Sequence, residues 1–458
     1  ILEWNVEEKW VRVQPGVVRD KLNALAANYN LQFAPDPATS NRATIGGMVA
    51  NNSSGTRSIV YGKTIDHLIE LKIATADGEI IQLGPDTENG REYIDQLQPL
   101  IERNTDLIRD RIPKVMRRVG GYPLDYLIGE KSFNPALLFC GSEGTLGIIL
   151  EARIRLVELP GCQSVAILHF EDTRKALKAV ERVLMFEPSA AELLDKPVLD
   201  LGAKNPETKK LMKGIDPKAG ALLLVEFSGE SIEEVKSLAQ KVSEEFSNGQ
   251  FLHPVRVSGV DPDYHFPWDL RKKGLGILMS DPSLRKPLAF IEDSCVPVAN
   301  LPDYIDEVLE ICHNEGTDAI VYAHASVGVI HVRPLLDLSN AQDIGAMERV
   351  SARVFEKVCH YDGAWSGEHG DGLARSYKNK EFFGDQLYEV FREIKRIFDP
   401  YWIMNPGKVV DAPPMVENLR MGESYEVSGI PEQEYHFRET LDVESTVHLC
   451  SGVGECLK

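Results

Sequence analysis

Between Ala34 and Thr64 the chain reads APDPATSNRATIGGMVANNSSGTRSIVYGKT, a stretch dominated by proline, glycine, asparagine, serine and threonine. It reads as a long loop, and a loop of that length inside a compact domain normally serves binding. Its glycines stand at 46, 47, 55 and 62, with small hydroxyl and amide side chains between them. Backbone of this kind exposes N–H groups that can cradle a phosphate. A second such stretch, GSEGTLGI at 141–148, has glycines at 141, 144 and 147. Neither matches G-x-G-x-x-G, so a Rossmann-type site is not indicated. Either stretch alone reads more readily as a tight turn. Two in one domain shift the balance towards a phosphate-bearing ligand.

The elements around these loops point to an α+β chain. Its 458 residues are too many for one ordinary core, so two or three domains are expected. ILEWNVEEKW alternates like a strand, and WVRVQPGVV (10–18) alternates before a turn at Pro15-Gly16. Residues 19–29 have helical spacing, and 68–83 form a hairpin candidate with Asp77-Gly78 at its turn. Residues 136–159 read as strand, glycine loop and strand. After Pro160-Gly161 the rhythm changes. Strands at 164–170 and 219–229 alternate with helices at 172–186 and 230–247. The segments 287–297 and 318–326 bracket another helix, and 340–361 and 380–398 are long helical patterns. This predicts a mainly antiparallel sheet. The expected division is 1–160, 161–410 and a polar remainder, 411–458.

Composition narrows the partners. A formal net charge of −20 argues against nucleic-acid binding, which needs a basic footprint. No apolar run reaches the length of a membrane span. A cytoplasmic location, free or peripheral at the membrane, is expected. Seven unpatterned cysteines argue against a secreted disulfide framework. Cys140, Cys162, Cys295, Cys312 and Cys359 lie in apolar contexts and read as buried, reduced thiols.

The chemistry-bearing residues lie in the second half. AHASVGVIHVRP places His324 and His331 seven apart. Strand alternation would put them on opposite faces, so a bend is needed, and Gly328 can supply it. Two histidines alone read more readily as hydrogen-bonded structural residues than as metal ligands. WSGEHGDG (365–372) offers Glu368 as a third ligand, and two imidazoles with one carboxylate suit a divalent metal with open positions. His369 is then free to act as a base.

The full wording of both glycine stretches closely resembles the PCMH-type FAD-binding domain of the vanillyl-alcohol oxidase superfamily. More narrowly it resembles the FAD-linked D-2-hydroxyacid dehydrogenases, a group that takes in D-lactate dehydrogenase, the flavin-bearing chain of glycolate oxidase, and D-2-hydroxyglutarate dehydrogenase. The resemblance runs from the first residues through Lys408. It implies flavin and pyrophosphate contacts from Pro35, Thr44, Ile45, Gly46, Gly47, Asn51, Ser53 and Gly55. It implies further contacts from Gly141, Ser142, Glu143, Gly144, Thr145 and Gly147, with Asn405 near the flavin ring. It also implies His324, His331 and Glu368 as ligands of a zinc-, manganese- or iron-class metal, and His369 as the base. The arginine of WDLRKKGLG, Arg271, matches a substrate-binding position. Arg333 stands where many relatives have a substrate-facing asparagine, and it could bind a substrate carboxylate. Relatives carry a glycine-rich segment before the first strand seen here. The chain is therefore read as an internal fragment with an N-terminally truncated FAD domain.

CSGVGECLK, with Cys450 and Cys456, resembles the start of a C-terminal iron–sulfur module. A cluster needs four thiolates, so it is expected only in the full-length parent. The implied function is oxidation of a D-2-hydroxy acid to the 2-oxo acid. Electrons would leave through that module to a carrier or quinone. The alternatives are a metal-free flavin oxidase of another alcohol and a flavin-less, non-catalytic fragment.

Overall fold

The computed structural model describes residues 1–422 apart from 86, 130–132, 248, 280–282 and 284, together with 425, 443 and 447. Cys450 and Cys456 lie outside the described residues. The architecture is α+β, with two antiparallel sheets each supporting its own core. The first sheet runs in the order Glu3–Asn5, Trp10–Val13, Ile148–Arg155, Leu68–Ala74, Ile80–Leu83. Leu68–Ala74 and Ile80–Leu83 form the expected hairpin, with Gly78 at φ +82° closing the turn onto Thr75. The core of this sheet is completed from far along the chain. Helix Asn379–Phe398 places Phe391, Ile394 and Phe398 among Tyr93, Tyr122 and Phe139. Val409 and Val410 join the same core. The last helix of the second segment therefore belongs energetically to the first unit.

The second sheet is antiparallel at every described pairing. Its order is Val255–Val257, Cys162–Phe170, Ala221–Gly229, Ala190–Asp195, Ala319–His324, Val329–Leu336, Lys286–Pro287. Alternation separates its faces. Leu193, Leu223, Ala323 and Val332 point under helices Thr173–Leu184, Ile232–Glu245, Leu301–Asn314 and Ala341–His360. Leu194, Leu222 and Leu224 point the other way, towards helices Lys196–Lys204 and Phe266–Met279. On that second face the apolar pattern gives way to Glu226, Glu192, Tyr322, His324, His331 and Arg333. A polar row on a buried sheet face is costly unless every member is paired, so it marks a site.

Three sequence expectations change. The stretch 34–64 is not a continuous loop: Ile45–Asn51 is helical, with the Thr44 side chain accepting from the Gly47 N–H. The cap and the burial of Ile45, Met48 and Val49 outweigh the low helix propensity of its glycines and asparagine. The strand expected from 136 is instead a short 3₁₀ turn, Pro135–Phe139, started by the Asn134 side chain accepting from Ala136 N–H. Cys359 is exposed, whereas Cys140, Cys162, Cys295 and Cys312 are buried, all as free thiols. Among the described residues, no helix is long and apolar enough to cross a membrane.

Candidate active site

The bend expected between the two histidines is present. His324 ends one strand, a single 3₁₀ turn follows, and Gly328 at φ +76° starts the return strand. A side chain on Gly328 would strike the Val296 carbonyl, so close approach as well as backbone sign requires glycine there. The hairpin pairs Tyr322 with His331, and their rings stack at 4.5 Å. His324 and His331 thus share one face, with ring centroids 5.2 Å apart.

The WSGEHGDG loop is held over that face by two carboxylates and an amide. Asp293 accepts from the Glu368 N–H at 2.7 Å, the His369 N–H at 2.8 Å and the Ser366 hydroxyl at 2.7 Å. Glu143 accepts from the Asp371 N–H at 2.5 Å and the Gly372 N–H at 2.9 Å. Asn51 donates from Nδ2 to the His369 carbonyl at 3.0 Å. Both glycine stretches therefore register the loop. Burial and then the neighbouring Asp371 push the Glu143 carboxyl up to about 7.

Three imidazoles converge on one oxygen. Glu368 Oε1 lies 3.3 Å from His324 Nε2, 3.2 Å from His331 Nε2 and 3.2 Å from His369 Nε2. Glu368 Oε2 accepts from the fully buried Arg117, which also donates to Gly55 O and Ser58 Oγ. Burial opposes the Glu368 charge, but His324 and Arg117 outweigh it and hold the carboxyl well below its usual range. Burial lowers the pKa of His331, favouring the neutral imidazole a metal needs. His324 is raised: burial works against it, while Glu192 and Glu368 prevail.

A metal fits these residues. His331 is buried, and apart from the 3.2 Å approach of Nε2 to Glu368 Oε1 neither ring nitrogen has a well-aligned hydrogen-bond partner. A buried imidazole with a nitrogen left unsatisfied is costly unless something else takes its lone pair. His324 and Glu368 stand beside it and complete the two-imidazole, one-carboxylate set. A second, overlapping set brings ligand atoms of Asp293, His331, Glu368 and His369 within 4.8 Å of one another. That set shares His331 and Glu368 with the expected ligands but takes in Asp293 and His369 in place of His324, whose Nδ1 is held by Glu192.

Both predicted arginines reach the cluster, but neither meets it with an open fork. Arg271 pairs through Nε with Glu192 and lies 3.2 Å from His324 Nδ1. Arg333 donates through Nε and Nη2 to Glu292. The carboxylate that Arg333 meets in this structure is the protein's own, Glu292.

The glycine stretches divide in the same way. The Ile45 N–H donates to Val17 O and the Gly46 N–H to Pro15 O, so these amides do not face a phosphate. Gly46, Gly55, Gly141 and Gly147 lie where a side chain would meet Pro15, Asp36 O, Val119 O and Ala74 O. Pro35 is buried beside this packing. Ser53 donates to Asn51 Oδ1. Ser142 bonds Phe139 O, and Thr145 bonds Tyr122. Gly144, at φ +74°, faces open space, and Gly47 and Asn405 are exposed. Asn405 donates to Glu143 O at 2.6 Å. Gly47, Gly144 and Asn405 are thus the members left open or exposed, while Gly46, Gly55, Gly141 and Gly147 serve close packing. The residues missed in the sequence are Arg117, Glu192, Glu292 and Asp293. Two carboxylates inside the apolar run AFIEDSCVP were the one available sign.

Comparison with known proteins identifies the two units. Residues 1–84 match the FAD binding domain, and residues 159–409, more than half of the chain, match the family described as FAD linked oxidases, C-terminal domain. The chain belongs to the FAD-linked oxidases. It is 32% identical to D-2-hydroxyglutarate dehydrogenase of Escherichia coli K12, over 92% of this chain and 44% of that protein. It is 27% identical to glycolate oxidase subunit GlcD of Bacillus subtilis, over 89% of this chain and 77% of that one. The chain spans less than half the length of the D-2-hydroxyglutarate dehydrogenases it matches. Among solved structures, 4-ethylphenol oxidase of Gulosibacter chungangensis shares the fold, with a TM-score of 0.61 at 14% identity, covering 90% of this chain and 78% of that one.

Proposed function

We propose that this FAD-linked oxidase oxidises a D-2-hydroxy acid of the lactate, glycolate or 2-hydroxyglutarate class to the 2-oxo acid. The observation that carries this reading is the convergence of three imidazole Nε2 atoms on Glu368 Oε1. His324, His331 and Glu368 would hold a divalent metal of the zinc, manganese or iron class. When bound, the metal supplies a Lewis acid that lowers the hydroxyl pKa, and FAD supplies a hydride acceptor. His369 Nε2 takes the hydroxyl proton. Arg271 borders the place of the substrate carboxylate. Asn51 and Glu143 keep the proton acceptor in register with the glycine stretches. The same proposal assigns a cytoplasmic location, free or peripheral at the membrane. It also assigns electron exit to an iron–sulfur module in the full-length parent, ending at a carrier or quinone.

The test uses the full-length, FAD-loaded protein under anaerobic conditions. D-lactate, glycolate or D-2-hydroxyglutarate should bleach the flavin, and L-lactate should not. Chelation should abolish bleaching, and a divalent metal should restore it. Full reduction by a hydroxy acid in metal-free protein would sink the metal-assisted reading and favour a metal-free oxidase.

A further inference from the structure

Glu292 has no place in the proposed ligand set, yet it is among the most completely held side chains at the site. It is 1% exposed. Its Oε1 lies 2.9 Å from His369 Nδ1 and 2.8 Å from Arg333 Nη2. Its Oε2 accepts from Arg333 Nε, and the Tyr322 hydroxyl lies 3.5 Å away. The His369 backbone is fixed at both ends, N–H to Asp293 and C=O to Asn51. Its ring stacks on His331, centroids 5.2 Å apart. Of the three converging imidazoles, His369 alone has substantial access, with 35% of its side chain exposed against 6% and 2% for His324 and His331.

We infer that Glu292 is the positioning residue for the base, and that Arg333 acts by holding Glu292 rather than by binding substrate. A neutral imidazole donates from one nitrogen and accepts at the other. A carboxylate at Nδ1 makes that nitrogen a donor and fixes the ring so that Nε2 is directed at Glu368 Oε1. The two carboxylates thus divide their work: Glu368 meets the three Nε2 atoms as a proposed metal ligand, and Glu292 stands behind the base. A guanidinium fork fixes a carboxylate in two directions at once. Arg333 therefore keeps Glu292 from turning towards another partner.

This inference rests on the hydroxy-acid reading. In that reaction the substrate O–H bond breaks and an N–H bond forms at His369 Nε2. The electron pair of the C2–H bond passes with its hydrogen to the flavin, and the carbonyl forms. Glu292 takes no proton.

The test compares the full-length FAD-loaded protein with Glu292→Gln and Arg333→Gln. Glu292→Gln should lower the flavin-reduction kcat by about 100-fold or more, with KM for the acid and the metal content unchanged. Arg333→Gln should lower kcat in the same direction but less, again without raising KM. The double variant should be no slower than Glu292→Gln alone, because both changes act through one ring. In histidine-¹⁵N-labelled protein, the His369 signal, assigned by its absence in His369→Asn, should report protonation at Nδ1. In Glu292→Gln it should shift towards the other tautomer.

A raised KM with unchanged kcat in either variant would show a substrate-binding role and overturn the inference. So would an unchanged tautomer in folded Glu292→Gln. If the parent bleaches with no hydroxy acid, the functional reading fails, while the nitrogen signal still decides the role of Glu292. If Glu292→Gln does not fold, the tautomer in Arg333→Gln decides. A shifted tautomer supports the inference, and an unshifted one rejects it.

Discussion

Glu368 carries the site because each of its oxygens answers a different part of the molecule. One faces the imidazoles, and the other binds Arg117, whose side chain is wholly buried. Removing one member of a buried ion pair leaves the other uncompensated. Glu368→Ala should therefore destabilise the fold by about 3 kcal/mol, read as a lower urea midpoint. Glu368→Gln, which keeps an acceptor for Arg117, should cost less. An equal loss in both variants would remove the Arg117 pairing from the account. At this scale the sequence was partly legible. His324, His331, Glu368 and His369 stand in two short motifs, and local spacing announced them. Arg117 and Glu292 reach them from about 251 and 77 residues away along the chain (368−117 and 369−292). No local pattern signals such pairings.

The elements show where local propensity was overruled. Ile45–Asn51 contains two glycines and an asparagine, poor helix formers, yet it is capped by Thr44 and anchored by three apolar side chains. The hairpin Ala319–Leu336 was legible because seven-residue spacing with one glycine demands a turn. A pH response belongs to the strand Cys162–Phe170. His169 is buried there, stacked between Phe251 and His253, and its Nε2 accepts from the Asp216 N–H. Only the neutral ring can accept at that nitrogen. Burial, then the neighbouring His253, lowers its pKa to about 4. Burial also lowers that of His253.

The folded pKa lies below the unfolded value of about 6.5, so the unfolded chain binds more protons between the two. Stability is therefore lost as pH falls from about 6.5 to 4, by up to about 3 kcal/mol from His169. His169→Phe, compared with the parent by thermal unfolding across that range, should flatten the slope. An unchanged slope would assign the acid sensitivity elsewhere.

For the whole molecule, the two sheets meet through polar locks rather than one continuous core. Arg57 donates to Glu226 at 2.7 Å through two nitrogens and to Asp36 at 2.8 Å. Asn51 and Glu143 tie the glycine stretches to the WSGEHGDG loop, and Asn379–Phe398 closes the first core from the far end of the chain. The α+β class and the antiparallel second sheet were readable from the alternation of elements. The return of the last helix to the first core was not, because its apolar face fits either sheet equally well by pattern. The division of labour these locks enforce, a cofactor unit on one side and a base on the other, is the central claim. It is tested most directly by flavin reduction in full-length, FAD-loaded His369→Ala, measured anaerobically with metal content alongside. The account predicts that reduction by the hydroxy acid falls by about 100-fold or more while bound metal stays at the parent level. Reduction at the parent rate would contradict it.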